Sequence, residues 1–410
     1  MTAPARPLVA IVSKQRLVGA TNGSSAYLLA IAESLRAAGF DVDLIQPSPA
    51  IAGRTPYIRG RPELAVFRRH AIRGAIRFGS TFVFRDPGIW WRAATGYLLK
   101  IARKLGARGN WAADRPQPYA VASPWLPADK RFLQHQLDPR TSAVIADYMF
   151  GAPAFALAGK DLPTAIVMHD LFHARDGKGK DSVSLVSREE EIAALAKADT
   201  VFAIQQDEQD FVARHVPGTK ALLVPMPAYP VNEPAPGADG ELLFIGSNTA
   251  PNSEGLRDFL ERIWPLILAA CPKCRLTVAG TVDRAFTGQS HPNVRFLGMV
   301  DNLDRLYAEA GVVISPLTFG SGLKIKLIEA LAQGKAMVVS SITLQGVEAT
   351  CAGAVRRADA PDDAARHVLA LANDAAARRQ LGQQALDCAR ANFSAEVVHA
   401  GLREWAGQLG

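Results

Sequence analysis

Short apolar runs alternate with segments of helical period along almost the whole chain. PLVAIVS leads into a segment near Gly23–Ala38 in which Leu28, Ile31, Leu35 and Ala38 share one helical face, with Gly39 as its stop. DVDLIQ follows as a second strand. TSAVIADY, PTAIVMHD, TVFAIQ and KALLVPM read as further strands with helices between them, one near Ser184–Ala198. These strands are near-continuous apolar runs, as in a parallel sheet covered on both faces.

The stretch VPMPAYPVNEPAPGADG breaks the pattern with five prolines between Val224 and Gly240. Such a stretch joins neither a helix nor a central strand and reads as an interdomain linker. Alternation then resumes with ELLFIGS, a helix near Glu254–Ala270, RLTVAG, VRFLGMV, a helix, GVVISPL, a helix opening at Lys324, and AMVVSS. Helical signals fill most of Pro361–Leu409, and no repeat of 20–50 residues is present. The expectation is two doubly wound α/β domains, residues 1–228 and 241–390, joined by a linker at 229–240. A crevice between two sets of strand C-termini is where a ligand would bind.

Composition adds bounds. At 49% hydrophobic and 21% charged residues the chain is an ordinary globular one. No run approaches the apolar length of a membrane span, and PLVAIVSK reads as a first strand rather than a signal peptide, so the expected compartment is the cytoplasm. Four cysteines fit a reducing compartment, and the single CPKC pair lacks a second pair for zinc. The net charge of +7 is uneven. Between Ile51 and Arg131 there are 16 Lys+Arg against 4 Asp+Glu, a local +12, so the remainder carries −5. This basic insertion, at about 51–135, interleaves Arg and Lys with Phe, Trp, Tyr and Leu. WWRAATGYLLKIARKLG suits a helix lying on an anionic membrane surface, or an ordinary amphipathic helix packed on its domain. No nucleic-acid module accompanies it.

The most informative stretch is FGSGLKIKLIEALAQGKAMVVSS, Phe319–Ser341. Gly320 and Gly322 allow close approach of a ligand to the backbone, and the following helix N-terminus offers unpaired N–H groups. Lys324 and Lys326 stand where acidic residues are favoured, which a bound diphosphate would explain. Glu329, about a turn and a half on, could accept hydrogen bonds from a ribose. The plain alternative is a surface helix with a Lys326–Glu329 ion pair.

That stretch resembles the nucleotide-sugar site of GT-B glycosyltransferases of the family 4 type (glycosyl transferases group 1). ELLFIGSNTAPNSEGLRDFLERIWPLI, VRFLGMVDNLDRLYAEAGVVISPL and FSAEVVHAGLREW resemble other segments of that family. The resemblance implies a GT-B architecture, two Rossmann-like domains facing across a cleft, with residues 391–410 crossing back to the N-terminal domain. It implies that Glu329 binds the donor ribose and Lys324 the diphosphate, with the Gly320–Gly322 backbone. Gly246 and Ser247 would line the donor site, and Met299 and Val300 would face the base. The loop of Gly19, Thr21, Asn22 and Gly23 would lie near the donor phosphates and the acceptor. His169 would touch the transferred sugar. Ser321 stands where relatives commonly have an acid. Gly246–Ser247 and Glu254–Gly255 replace a usual Gly-Arg and Lys-Gly, so Lys326 or Arg284 would assist Lys324.

Taken without the resemblance, His169 is a histidine at a strand end, which is often structural. HDLFHARDGKGKD gathers His169, Asp170, His173 and Asp176, which makes a metal conceivable; no metal site is expected. Asp147, ending AVIADY, is a candidate acceptor contact. The expected activity is a metal-independent, cofactor-free, retaining transfer of a hexose-type sugar from a nucleotide diphosphate sugar. Its acceptor would be a hydroxyl of a glycan or lipid-linked glycan, in cell-surface polysaccharide or glycoconjugate synthesis, with the protein peripheral at the inner membrane face. The alternatives are a GT-B nucleotide-sugar epimerase and a catalytically silent homologue that binds a nucleotide sugar or a partner.

Overall fold

The apolar runs form two parallel sheets. The structure is a computed structural model describing residues 6–53, 55–104, 119–159, 161–174, 186–300, 302–320 and 323–409. The chain divides into two units, one of Met1–Gly177, Ser182–Val224 and Gly401–Gly410, the other centred on Pro225–Ala400.

In the first unit the strands are β1 (Leu8–Val12), β2 (Asp41–Gln46), β3 (Tyr57–Arg59), β4 (Arg69–Ile72), β5 (Ala75–Phe78), β6 (Thr81–Phe84), β7 (Thr141–Asp147), β8 (Thr164–Met168), β9 (Thr200–Ala203) and β10 (Lys220–Leu223). The main sheet runs β10-β9-β8-β7-β1-β2-β4, with every pair parallel. β1, β8 and β9 are buried along their length, as apolar strands covered on both faces must be. In the second unit β11 (Glu241–Ile245), β12 (Arg275–Ala279), β13 (Val294–Gly298), β14 (Val312–Ser315), β15 (Met337–Val339) and β16 (Arg356–Arg357) pair as β13-β12-β11-β14-β15-β16, again all parallel. Each sheet therefore has the doubly wound order 3-2-1-4-5-6, the first extended by one strand. The two doubly wound α/β domains expected from the alternation are present. Order reverses between β1 and β7 and between β11 and β14, which is where such sheets open a crevice at their strand C-termini.

Three local readings change. The basic insertion is not a separate module throughout, because β4 continues the main sheet beside β2. Its first cations answer a buried acid. Asp43 on β2 is 1% exposed and accepts from Arg68 at 2.7 Å and Arg69 at 3.0 Å. Arg73 likewise meets buried Asp129 at 2.8 Å. An unpaired buried carboxylate would be costly, so these arginines are consumed by the fold. The rest of the insertion forms an antiparallel sheet, β3-β6-β5, and the helix Pro87–Lys104.

The proline-rich stretch does not hang free; it lies against the second unit. Prolines lack donors, so the stretch offers carbonyls, and two buried cations take them. Lys335 donates to Ala235 O at 2.6 Å, and Arg378 donates to Pro236 O at 2.8 Å and to Asp239 at 2.6 Å. Burial pushes the Lys335 pKa down to about 8, with Arg378 adding to the shift. The helix expected near Glu254–Ala270 starts earlier, at Ala250, and carries a wide turn at Phe259–Ile263 before Trp264–Ala270. Pro265 explains the break, since its ring excludes a regular hydrogen bond there. Cys271 and Cys274 are buried at the end of that helix, where burial pushes the Cys274 thiol up to about 12. Of the last residues, Trp405 packs edge-on against Phe202 of the first unit at 5.1 Å.

Candidate active site

In the second unit the edge between β11 and β14 is built from loops and helix starts. Behind β11, Gly246 and exposed Ser247 turn into the helix Ala250–Asp258. Asn252 Nδ2 ties the turn by donating to Ser247 O at 3.1 Å and to Thr249 Oγ1 at 3.0 Å. Gly255 lets this helix close on the end of β14. A Cβ there would stand 2.7 Å from Pro316 O. Behind β14, Ser340 donates to Leu317 O at 2.6 Å and Thr343 to Ser315 O at 2.8 Å, which fixes the loop that leads to Gly320.

Gly320 has φ +140°, a conformation that favours glycine. Pro251 and the Lys324 side chain are its nearest neighbours, with Lys324 Cε 3.8 Å from an ideal Cβ position. The next helix is Ile325–Ala332, so Lys324 is its N-cap rather than its first residue. Leu327 and Ile328 donate back to Lys324 O. Neither this helix nor Ala250–Asp258 has a side-chain cap or an acid in its first turn. Other helices are treated in two ways: Asn22 and Ser25 form a capping box, Ser187 caps a start bearing Glu189, Glu190 and Glu191, and Asp374 caps Ala375–Phe393, while Gln206–His215 and Pro361–Ala372 lack a side-chain cap but carry acids in their first turns. Two helix starts without side-chain caps follow the two strands of one switch point, beside a lysine, and their backbone N–H groups can donate to an anion.

The other predicted donor residues fall at the same edge with different degrees of engagement. Lys326 donates to Glu329 Oε2 at 2.6 Å, with the two side chains 44% and 34% exposed, which is the ion pair of the plain reading. Glu329 also lies near Tyr307, whose buried hydroxyl makes no hydrogen bond of normal geometry among the described residues. Burial, then the Glu329 charge, pushes the Tyr307 pKa well up. Met299 and Val300 follow β13, with Met299 61% exposed, and Arg284 is exposed behind β12. Ser321 and Gly322 lie outside the described residues.

In the first unit the switch point holds buried side chains instead. Asp147 ends β7 and is 1% exposed. It accepts from Ser13 Oγ at 2.6 Å, Gln15 Nε2 at 3.2 Å and His169 Nε2 at 2.7 Å. A carboxylate only accepts, so the proton sits on Nε2 of His169 and Nδ1 is the second ring nitrogen, without a partner among the described residues. Tyr148 stacks on the imidazole at a centroid distance of 4.0 Å, and Tyr27 meets its edge at 5.4 Å. The Tyr148 backbone sits at φ +63°, an outlier for a large residue, and its hydroxyl donates to Ser24 Oγ at 2.7 Å. Such strain is held in place only by surroundings that over-determine it.

Sequence reasoning named Asp147 and His169 separately; the fold joins them. It missed Ser13, Gln15, Tyr148 and Lys14. Lys14 is 2% exposed, donates to Ser123 O and lies 5.4 Å from the Trp125 ring centroid. Burial pushes its pKa down to about 8, against the opposing charge of Asp129. A lysine inside the apolar stretch VAIVSKQRLV was the available signal. His173 pairs with Glu191 at 2.7 Å instead of joining His169, and Asp176 lies outside the described residues. Among the described residues no three metal-ligating side chains gather. Of the predicted glycine loop, Gly19 packs on the Arg61 side chain, Asn22 accepts from Ser25 N as a helix cap, Thr21 N donates to Ser25 Oγ, and Gly23 opens the helix.

Residues 239–374 match the family model described as glycosyl transferases group 1. No curated protein sequence matches this chain. Solved structures resemble it along its length. Sucrose-phosphate synthase from Thermosynechococcus elongatus is 17% identical over 98% of this chain and 99% of its own, with a TM-score of 0.61. A mutant of S. aureus TarM, solved with fondaparinux, alpha-GlcNAc-glycerol and UDP, is 10% identical over 98% and 100%, with a TM-score of 0.64. HepE of Anabaena, solved with UDP and glucose, is 13% identical over 98% and 100%, with a TM-score of 0.60. At such identities the likeness is one of fold. The match to group 1 glycosyltransferases thus covers residues 239–374, and the chain as a whole has the GT-B fold, with two Rossmann-like units.

Proposed function

We propose that the protein is a retaining glycosyltransferase that uses a nucleotide diphosphate sugar and transfers a hexose-type sugar to a hydroxyl of a glycan or lipid-linked glycan. The observation that carries this reading is the pair of uncapped helix starts beside Gly320 and Lys324, inside the segment that matches the family. Departure of the sugar develops negative charge on the β-phosphate. Lys324 and the two helix N-termini would stabilise that charge where it forms, with Arg284 as a further cation. This set supplies the needed positive charge without a resident metal. Glu329, oriented by Lys326, would accept from the ribose, while Met299 and Val300 would border the base.

His169, oriented by Asp147, would act on the transferred sugar. A strong general base is not required if configuration at the anomeric carbon is retained. Gly19, Thr21, Asn22 and Gly23 would border the acceptor. HepE and TarM, solved with UDP, support a uridine donor as the first to try. Cell-surface polysaccharide or glycoconjugate synthesis, at the cytoplasmic face of a membrane, is the setting this acceptor class implies.

The test is a panel of nucleotide sugars with chelator present, read as nucleoside diphosphate release and as binding by calorimetry. Turnover with one donor, unaffected by chelator, is the expected result. Tight nucleoside diphosphate binding without turnover on any donor would favour a binding homologue. Interconversion of the donor sugar without transfer would favour an epimerase.

A further inference from the structure

The insertion carries an apolar surface that its own fold does not bury. Successive helical residues advance by about 100°, so Trp90, Trp91, Ala94, Tyr97, Leu98 and Ile101 share one arc of the helix Pro87–Lys104. A helix packed on its domain would bury this arc. Here the arc faces outward: Trp91, Tyr97 and Leu98 are 72%, 67% and 63% exposed, and Trp90 and Ile101 are exposed too. The helix is anchored at its first turn. Ile89 joins Phe82 and Phe84 in the insertion's core, and Trp90 Nε1 donates to Phe84 O at 2.7 Å. The antiparallel sheet adds exposed Phe78, Ile76 and Tyr57.

Charge surrounds this surface: Arg59 shares a strand face with Tyr57 and Lys100 flanks the helical arc, while Arg92 lies on the far side of the helix and Arg77 on the other face of its strand. Arg59, Arg77, Arg85, Arg92 and Lys100 are exposed, and none meets a carboxylate among the described residues. They contrast with Arg68, Arg69 and Arg73, which neutralise buried acids. An exposed aromatic and aliphatic patch of this kind marks an interaction surface.

We propose that this face seats on an anionic bilayer surface. The helix would lie along the interface, with Trp90, Trp91, Tyr97 and Leu98 at the boundary of headgroups and acyl chains and Arg59 and Lys100 against anionic headgroups. Charge complementarity selects this occupant. A second copy would bring two +12 insertions together, and like charges facing each other are disfavoured. A nucleic acid would use the cations but leave Leu98 and Ile101 wet. The proposal involves no donor-site residue and stands apart from the transferase reading.

Vesicle co-sedimentation of the full chain tests it. Phosphatidylcholine vesicles with about 30 mol % phosphatidylglycerol should bind at least about tenfold more tightly than phosphatidylcholine alone, and added salt should reduce the difference. The double variant Trp91→Glu, Leu98→Glu should lose about tenfold or more on the anionic vesicles. Its nucleoside diphosphate affinity by calorimetry should match the parent, which also shows that it folds. Arg59→Glu with Lys100→Glu should lower binding to anionic vesicles and leave neutral ones unaffected. Equal binding to both vesicle types, or binding untouched by the double variant, overturns the proposal. So does a dimer without vesicles that dissolves on introducing Leu98→Glu, which would assign the face to a second copy. Loss of nucleoside diphosphate binding by the parent chain would strike the transferase reading alone.

Discussion

At the switch point between β1 and β7, the first unit places a buried carboxylate with three donors on it and a histidine packed between two tyrosines. At the matching point between β11 and β14, the second unit places glycines, uncapped helix starts and a lysine. The strand order is the same, and the material is opposite. Backbone N–H groups and a flexible cation suit a diphosphate, which has many equivalent oxygens and charge to neutralise. A histidine held at Nε2 by a buried carboxylate and packed against two tyrosines suits a task that demands one orientation and one tautomer. One fold therefore presents backbone donors at one switch point and a side-chain-held imidazole at the other, depending on whether backbone or side chains fill it.

Asp147→Asn attacks that contrast most strongly. The amide would present a donor to His169 Nε2 or force the imidazole into its other tautomer, and Ser13 and Gln15 would lose a charged acceptor. Turnover should fall about a hundredfold or more, with a stability loss of about 1–3 kcal/mol. Nucleoside diphosphate affinity should stay within about twofold, since that seat is built by the second unit's backbone. Steady-state kinetics, denaturant unfolding and calorimetry separate the three. Unchanged turnover would make the pair a structural one.

The same contrast explains what the sequence disclosed. The proposed anion seat could be named from the sequence because its parts are contiguous: Gly320, Lys324 and Glu329 lie within one loop and helix start, where spacing alone carries meaning. The imidazole site draws on residues 13, 15, 24, 27, 147, 148 and 169, which only strand order brings together, so Asp147 and His169 could be named but not joined. Alternation gave both sheets, because buried parallel strands must be apolar throughout. It did not give β4, whose RHAI is short and half polar, nor the fate of Arg68 and Arg69, because Asp43 lies some 25 residues away. The packing of the proline-rich linker was not legible, because the cations that hold its carbonyls, Lys335 and Arg378, come 100 and 142 residues later.

Lys324→Ala tests the seat. Removal of a charge-assisted contact should weaken nucleoside diphosphate binding by about 1.5–3 kcal/mol, roughly 10- to 150-fold. Calorimetry reads it directly. An unchanged affinity would leave the uncapped helix starts as the whole seat or remove the anion from this loop.

Glu208 gives the first unit's edge a pH signature. It lies at the start of the helix after β9, is 1% exposed, and accepts from Gln205 at 2.9 Å. Burial, reinforced by Asp170 and Asp207, pushes its pKa up to about 8. Between the unfolded value near 4.5 and about 8, the unfolded chain releases a proton that the folded chain keeps, so this group's contribution to stability falls as pH rises and levels off above that window. Glu208→Gln should therefore narrow the stability difference between pH 5 and pH 8 by about 1–3 kcal/mol. Denaturant unfolding at the two pH values measures it. An unaltered difference would place the titration elsewhere.

Lys326→Ala sharpens the anion seat with the smallest effect. An exposed i,i+3 pair contributes a few tenths of a kcal/mol, and the helix dipole disfavours a cation at the second helical position by a similar amount, so stability should move by less than about 0.5 kcal/mol. In the proposed site Lys326 orients Glu329, while Lys324 faces the phosphates. The alanine variant should then lose less than about threefold in nucleoside diphosphate affinity, well short of Lys324→Ala. Calorimetry on the two variants side by side makes the comparison. A larger loss for Lys326 would move the phosphates from the loop beside Gly320 onto the helix itself and make Lys326, rather than the N-cap lysine, the cation that the diphosphate needs.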